Sequence, residues 1–233
     1  MITTVIFDLD DTLYDEVDFC RSGFRAVAAF LSGIPNLTAT PRADAVFAAL
    51  WEQFSKGNRG KTFNAALDAL GIAFEADMIA RLVTVYREHT PDIALPAETR
   101  QILDALGCEY ALGLLTDGFL PTQRLKVEAL GIGPYFKHLL YTEALGRKAW
   151  KPSTKGFKHL LKEFGAQPRD CVYVADNAEK DFVGPNALGM ATIQLIRPNR
   201  LHDNAPAGPE AEPGRILASV TQLPNALKHL QWL

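Results

Sequence analysis

From residue 98 to the C-terminus, short β-rich runs alternate with helical segments, and one more such run stands alone near the N-terminus. Alternation of this kind predicts a parallel sheet, because each helix must carry the chain back along the sheet before the next strand begins. The expected strands are Thr3–Phe7, Tyr110–Leu115, His138–Tyr141, Cys171–Ala175, Ala191–Ile196 and Ile216–Val220. Cys171–Ala175 (CVYVA) is apolar throughout, as a strand covered on both faces must be. The expected helices are Glu98–Leu106, Pro121–Leu130, Phe157–Phe164, Ala178–Leu188 and Leu223–Leu230, three of them closed by Gly131, Gly165 and Gly189. Residues 198–214 carry Pro, Gly and Ala without a period and read as an exposed loop.

A stretch of different character separates the first strand from the rest. Val17, Cys20, Phe24, Val27 and Leu31 recur at helical spacing. Val46, Phe47, Leu50, Trp51 and Phe54 form a second stripe, and Phe63, Ala66, Leu67 and Leu70 a third. Met78, Ile79, Leu82, Val83 and Tyr86 form a fourth. Gly33 with Pro35, Gly57 with Gly60, and Gly71 mark the breaks. Four amphipathic helices can bury a core of their own. The expected organisation is an α/β domain of residues 1–15 and 93–233, a doubly wound parallel sheet, with a four-helix module of residues 16–92 inserted after the first strand.

A formal net charge of −3 and the absence of basic runs argue against nucleic acid as a partner. No apolar run approaches the roughly 18 residues of a membrane span, and the N-terminal run reads as a buried strand rather than a signal peptide. Cys20, Cys108 and Cys171 are sparse, odd in number and without CxxC spacing, which reads as reduced thiols in the cytoplasm.

Four polar signals sit at strand ends or just before a helix. Asp8, Asp10 and Asp11 follow the first strand; carboxylates this close raise one another's pKa unless a cation lies between them, and a hard cation such as Mg²⁺ suits oxygen ligands. The bland alternative is an acidic turn capping the next element. Thr116-Asp117-Gly118 follows the second strand, and a hydroxyl beside a glycine turn can bind phosphate oxygens, although it is also ordinary turn chemistry. Lys151-Pro152 precedes a helix, with Lys148 a rival three residues earlier. Asp176 follows the apolar Cys171–Ala175 strand and Asp181 is expected one turn into the next helix; an N-cap and a surface acid are the plain readings. Ligands of open α/β sheets bind at the carboxyl ends of the strands, and all four signals converge on that edge.

Taken in order, the four resemble the haloacid dehalogenase superfamily of hydrolases across the whole α/β core. DLDDT is similar to its DxDxT signature, TDG to its second motif, the Lys-Pro pair to its third and the Asp176–Asp181 pair to its fourth. The resemblance implies a Rossmann-like core with a helical cap of the superfamily's first type. It also implies roles. Asp8 becomes the nucleophile, through an aspartyl-phosphate intermediate. Asp10 protonates the leaving alcohol and then deprotonates water. Thr116 and Lys151 hold phosphoryl oxygens. Mg²⁺ rests on Asp8, the Asp10 backbone carbonyl and Asp176, while Asp181, Asp117 and Gly118 support the site. Gly146 and Lys151 are further apart than is usual in relatives, which keeps Lys148 open, and Ala175 stands where glycine is common.

The expected function is therefore Mg²⁺-dependent hydrolysis of a small phosphorylated metabolite, a nucleotide or sugar phosphate. A dehalogenase expels halide without needing a proton, so Asp10 favours phosphate esters over it. A phosphomutase shares the same residue set. A receiver-type signalling domain fits poorly, because its lysine comes last and its chain is shorter. The segment Lys56–Lys61 (KGNRGK) is a candidate for reading an anionic substrate, or else a solvated interhelical loop.

Overall fold

In a computed structural model that describes residues 1–34, 42–202 and 205–230, six strands form one sheet. They are β1 (Thr4–Phe7), β2 (Ala111–Thr116), β3 (His138–Tyr141), β4 (Cys171–Ala175), β5 (Ala191–Leu195) and β6 (Arg215–Leu217). The spatial order is β3-β2-β1-β4-β5-β6, and every neighbouring pair is parallel. Helices lie on both sides, as the doubly wound α/β expectation requires. The three cysteines are free. No helix among the described residues is long and apolar enough to cross a membrane.

The central strands β1 and β4 are buried at every position, which is why their sequences do not alternate. Phe7 pairs with Leu114 on one side and Val174 on the other, and the Asp8 N–H donates to the Val174 carbonyl at 2.9 Å. Three strands therefore end side by side. The chain runs β1-β2-β3 in one direction and β4-β5-β6 in the other, so the order reverses between β1 and β4, where such sheets open a crevice.

Helices α5 (Ala97–Gly107), α6 (Leu120–Leu130), α7 (Lys155–Phe164), α8 (Val183–Leu188) and α9 (Leu223–Leu230) alternate with these strands. Helices α6, α7 and α8 stop at Gly131, Gly165 and Gly189, each in the left-handed conformation. Ile6, Leu115 and Tyr173 pack with Phe157, Leu160 and Phe182 in one buried cluster. Gly113 in β2 lets Phe164 approach: a Cβ there would lie 2.8 Å from its ring.

Two elements differ from the sequence expectation. Residues 178–182 form turns, and only Val183–Leu188 is helical. Side chains have displaced the first helical turn: Asp181 Oδ2 accepts the Asn177 N–H at 3.0 Å, and Asn177 Oδ1 accepts the Glu179 N–H at 3.0 Å. Near the C-terminus, β6 stops at Leu217 rather than Val220. Ser219 instead caps a 3-10 turn, Val220–Gln222, with its hydroxyl accepting the Thr221 N–H and Gln222 returning to the Ser219 N–H.

The chain divides into two compact units, Met1–Val17 with Ala94–Leu233, and Asp18–Ile93. The second is helical, built from most of α1 (Glu16–Ser32) and from α2 (Ala43–Ser55), α3 (Thr62–Ala69) and α4 (Ala76–Glu88). Phe24, Val27, Leu31, Leu50, Leu67 and Leu82 are buried in it, and the Phe24 ring contacts Trp51, Phe54, Phe63 and Tyr86. Pro35, expected at the first break, lies outside the described residues.

Candidate active site

Asp8 is the first residue past β1, and only 6% of it is exposed. Lys151 Nζ donates to Asp8 Oδ1 at 2.6 Å and lies 2.8 Å from Asp181 Oδ1. Lys148 is exposed, so of the two candidate lysines it is Lys151 that reaches the strand ends. Asp117 positions it: Asp117 Oδ2 accepts the Lys151 N–H at 2.8 Å, while Oδ1 accepts the Thr142 hydroxyl at 2.6 Å. Asp117 thereby ties the end of β2 to the end of β3 and to the lysine.

Asp176 follows β4, its backbone carbonyl bonded by Gln194 Nε2 at 2.7 Å. Its Oδ2 is buried and has no hydrogen-bond partner among the described residues. Asp8, Asp176 and Asp181 each offer a carboxylate oxygen within 4.8 Å of the other two. Burial pushes the Asp8 carboxyl up to about 7 against the opposing pull of Lys151. Burial, then Asp181 and Asp8, push Asp176 up to about 9. Three buried carboxylates facing one ammonium form a site short of positive charge. The orphaned Asp176 oxygen is a lone pair waiting for a cation, and an all-oxygen donor set suits a hard divalent one.

Asp10 is placed differently from the other two members of its expected metal set. Its carboxylate is not in the cluster; the part expected of it there is that of its backbone carbonyl. Oδ1 accepts Tyr14 Oη at 2.6 Å and Lys126 Nζ at 2.7 Å, and Oδ2 accepts Gln123 Nε2 at 2.8 Å. Burial alone would raise this carboxyl; Lys126 and the hydrogen bonds outweigh it and hold the pKa below the ordinary value. Lys126 also meets Glu16 at 3.1 Å, and burial followed by Asp10 raises the Glu16 pKa. Thr116, at the end of β2, accepts the other Gln123 amide proton at 2.6 Å.

Asp11 follows the bland alternative. It is buried at a φ of 51°, with Oδ1 accepting the Glu16 N–H at 2.8 Å and Oδ2 the Leu201 N–H at 2.6 Å. It holds the start of α1 and the loop after β5. Asp181, expected on a helix, sits instead in the turn that its own carboxylate organises. Tyr14, Glu16, Gln123 and Lys126 carry no expected role. Their sequence signal is faint, a Gln and a Lys three apart on the helix after Thr-Asp-Gly, as on any helix face.

A cleft of about 190 Å³ is bordered by Asp8, Asp10, Gly118, Lys151, Asp176 and Lys180. A sequence profile of the haloacid dehalogenase-like hydrolases matches residues 2–189. The chain belongs to this family. Within reach of the same likeness is a glyceraldehyde 3-phosphate phosphatase of Methanocaldococcus jannaschii, 29% identical over 84% of this chain and 86% of its own. A phosphoserine phosphatase of Thermus thermophilus is 27% identical over 90% and 92%. Among solved structures, the HAD-hydrolase YfnB of Bacillus subtilis, bound to magnesium, superposes with a TM-score of 0.70 at 24% identity, over 97% of this chain and 98% of that one. That last likeness speaks to the haloacid dehalogenase fold.

Proposed function

We propose that the chain is a phosphomonoester hydrolase that uses Asp8 as nucleophile and Mg²⁺ as cofactor, acting on a small phosphorylated metabolite. The observation that carries this reading is the buried Asp8–Lys151 contact set against the orphaned Asp176 carboxylate at the sheet's switch point. The family match and the phosphatase relatives support the reaction class.

Asp8 Oδ1 is held by Lys151, and Oδ2 is the oxygen that attacks phosphorus. The P–O ester bond breaks as the new Asp8–phosphorus bond forms. Lys151 and the Thr116 hydroxyl bind phosphoryl oxygens and keep the group in line with Asp8. Asp10 gives a proton to the departing alkoxide and then takes one from the water that cleaves the aspartyl-phosphate. Asp8, Asp176 and the Asp10 backbone carbonyl would hold the cation, with Asp181 fixing the loop; when bound it neutralises charge on the carboxylates and the phosphoryl oxygens.

The relatives support a small substrate. Both named relatives act, by their names, on three-carbon phosphates, which favours a small sugar-type or hydroxy-acid phosphate over a nucleotide. Residues 16–92 serve in this reading as the helical cap of the family. The purified chain should turn over p-nitrophenyl phosphate repeatedly with Mg²⁺ and stop on addition of EDTA. Single phosphorylation without turnover would mark a receiver, and activity in EDTA would remove the metal from the scheme.

A further inference from the structure

The three donors on Asp10 are distributed unevenly. Oδ1 takes Tyr14 and Lys126, which fills both its lone-pair positions, whereas Oδ2 takes Gln123 alone among the described residues. Gln123 and Lys126 are each 2% exposed, so neither is a solvated residue that drifted into range. Lys126 is held in turn by Glu16 at 3.1 Å. Gln123 reaches the site because Gly118 has no side chain; a Cβ there would lie 3.0 Å from the Gln123 amide carbon. Its two amide protons go to two different groups, Asp10 Oδ2 at 2.8 Å and Thr116 Oγ1 at 2.6 Å. By donating into Thr116 it leaves the threonine's own proton, now aimed at the Asp117 carbonyl at 3.4 Å, for another acceptor.

We propose that Gln123 and Lys126 are positioning residues, which lock the Asp10 carboxylate so that Oδ2 alone exchanges the proton with the leaving group, and which register it against Thr116. This rests on the phosphatase reading and deepens it. In the first step the Asp8 oxygen bonds to phosphorus, the ester P–O bond breaks, and the proton on Asp10 Oδ2, drawn from solvent in the cleft, passes to the alkoxide. Asp10 Oδ2, still held toward the cleft by Gln123, then takes the proton of the attacking water. A carboxyl free to rotate would present either oxygen, at a variable distance from the ester.

The leaving group isolates this role. The kcat/KM value reports steps up to the first irreversible one, the transfer to Asp8, where an alkoxide needs a proton and p-nitrophenolate does not. Gln123→Met keeps the side-chain volume and removes both donors. Its kcat/KM should fall on the order of 10²-fold on glycerol phosphate, as for loss of an acid catalyst, and by less than about 10-fold on p-nitrophenyl phosphate. Any effect through Thr116 touches the phosphoryl group common to both esters and cancels in the ratio. Lys126→Met should show the same preference and Lys126→Arg should restore it; if Lys126→Met does not fold, Gln123→Met decides alone. Equal losses on both esters, or no loss, would overturn the proposal while leaving the phosphatase reading intact. Wild-type protein inactive on both esters would overturn both.

Discussion

Asp8, Asp10 and Asp11 lie within four positions, yet the fold gives them three environments. Asp8 is turned to Lys151, Asp10 to Lys126 and Gln123, and Asp11 to two backbone N–H groups. Changing Asp8 to Asn should abolish turnover of p-nitrophenyl phosphate while circular dichroism stays native, because an amide is isosteric but not nucleophilic; residual turnover would refute the role. Asp10→Ala should cost on the order of 10²–10⁴-fold on an ester with a poor leaving group. Lys148→Met should leave kcat/KM within about twofold, whereas Lys151→Met should lower it by on the order of 10²–10³. Removing Lys151 also strands Asp8 and Asp181 in a buried site, a change that costs about 3–5 kcal/mol for comparable pairs, so its thermal midpoint belongs beside its kinetics.

At the scale of elements, the strands explain themselves and the connections do not. β1 and β4 are unbroken apolar runs, and their pairing follows from burial on both faces. The segment between β4 and α8 reads as helix by composition, but Asn177 and Asp181 hydrogen-bond the backbone and hold it as turns. Propensity could not foresee this, because the competing bonds come from side chains, one of which, Asp181, also belongs to the Asp8–Asp176 cluster. Helix α6 shows the reverse: its boundaries are legible, while the burial of Gln123 and Lys126 is not. Packing between elements is tight where glycine allows it. Gly113→Val would drive a side chain into the Phe164 ring, and overpacking of this kind costs about 1–3 kcal/mol. For a chain of this size that is roughly 2–12 °C in thermal midpoint; an unchanged midpoint would mean that Phe164 yields freely.

For the molecule as a whole, the acidic cluster should couple stability to pH and, on the proposed reading, to metal. Without a cation, folded Asp8 and Asp176 keep protons up to about 7 and about 9, whereas unfolded carboxylates lose theirs near ~4. Across that window the folded state binds more protons, so stability is greatest at the acid end and falls as pH rises through 7 and 9. Asp10 acts oppositely, but its depressed pKa places its loss at lower pH, and the raised pKa values of Lys126 and Lys151 matter only in alkali. In EDTA the thermal midpoint should therefore fall between pH 5 and 9. Mg²⁺ at about 100 times its dissociation constant should add ~2.7 kcal/mol, roughly 5–10 °C, at pH 8 and flatten the slope. A midpoint that rises with pH in EDTA would contradict the assignment of the cluster.

The sequence by itself determined the α/β class, the succession of strands, and the strand-end acids that carry the resemblance to the haloacid dehalogenase-like hydrolases. Those features are written in local periodicity and in the residues that follow each apolar run. Only the tertiary structure decided between Lys148 and Lys151, gave Asp11 to the backbone, left an Asp176 oxygen without a partner, and brought Gln123 and Lys126 under Asp10. Each of these depends on distances between residues far apart in the chain, set when neighbouring strands align and helices dock against them, and no local pattern carries that information.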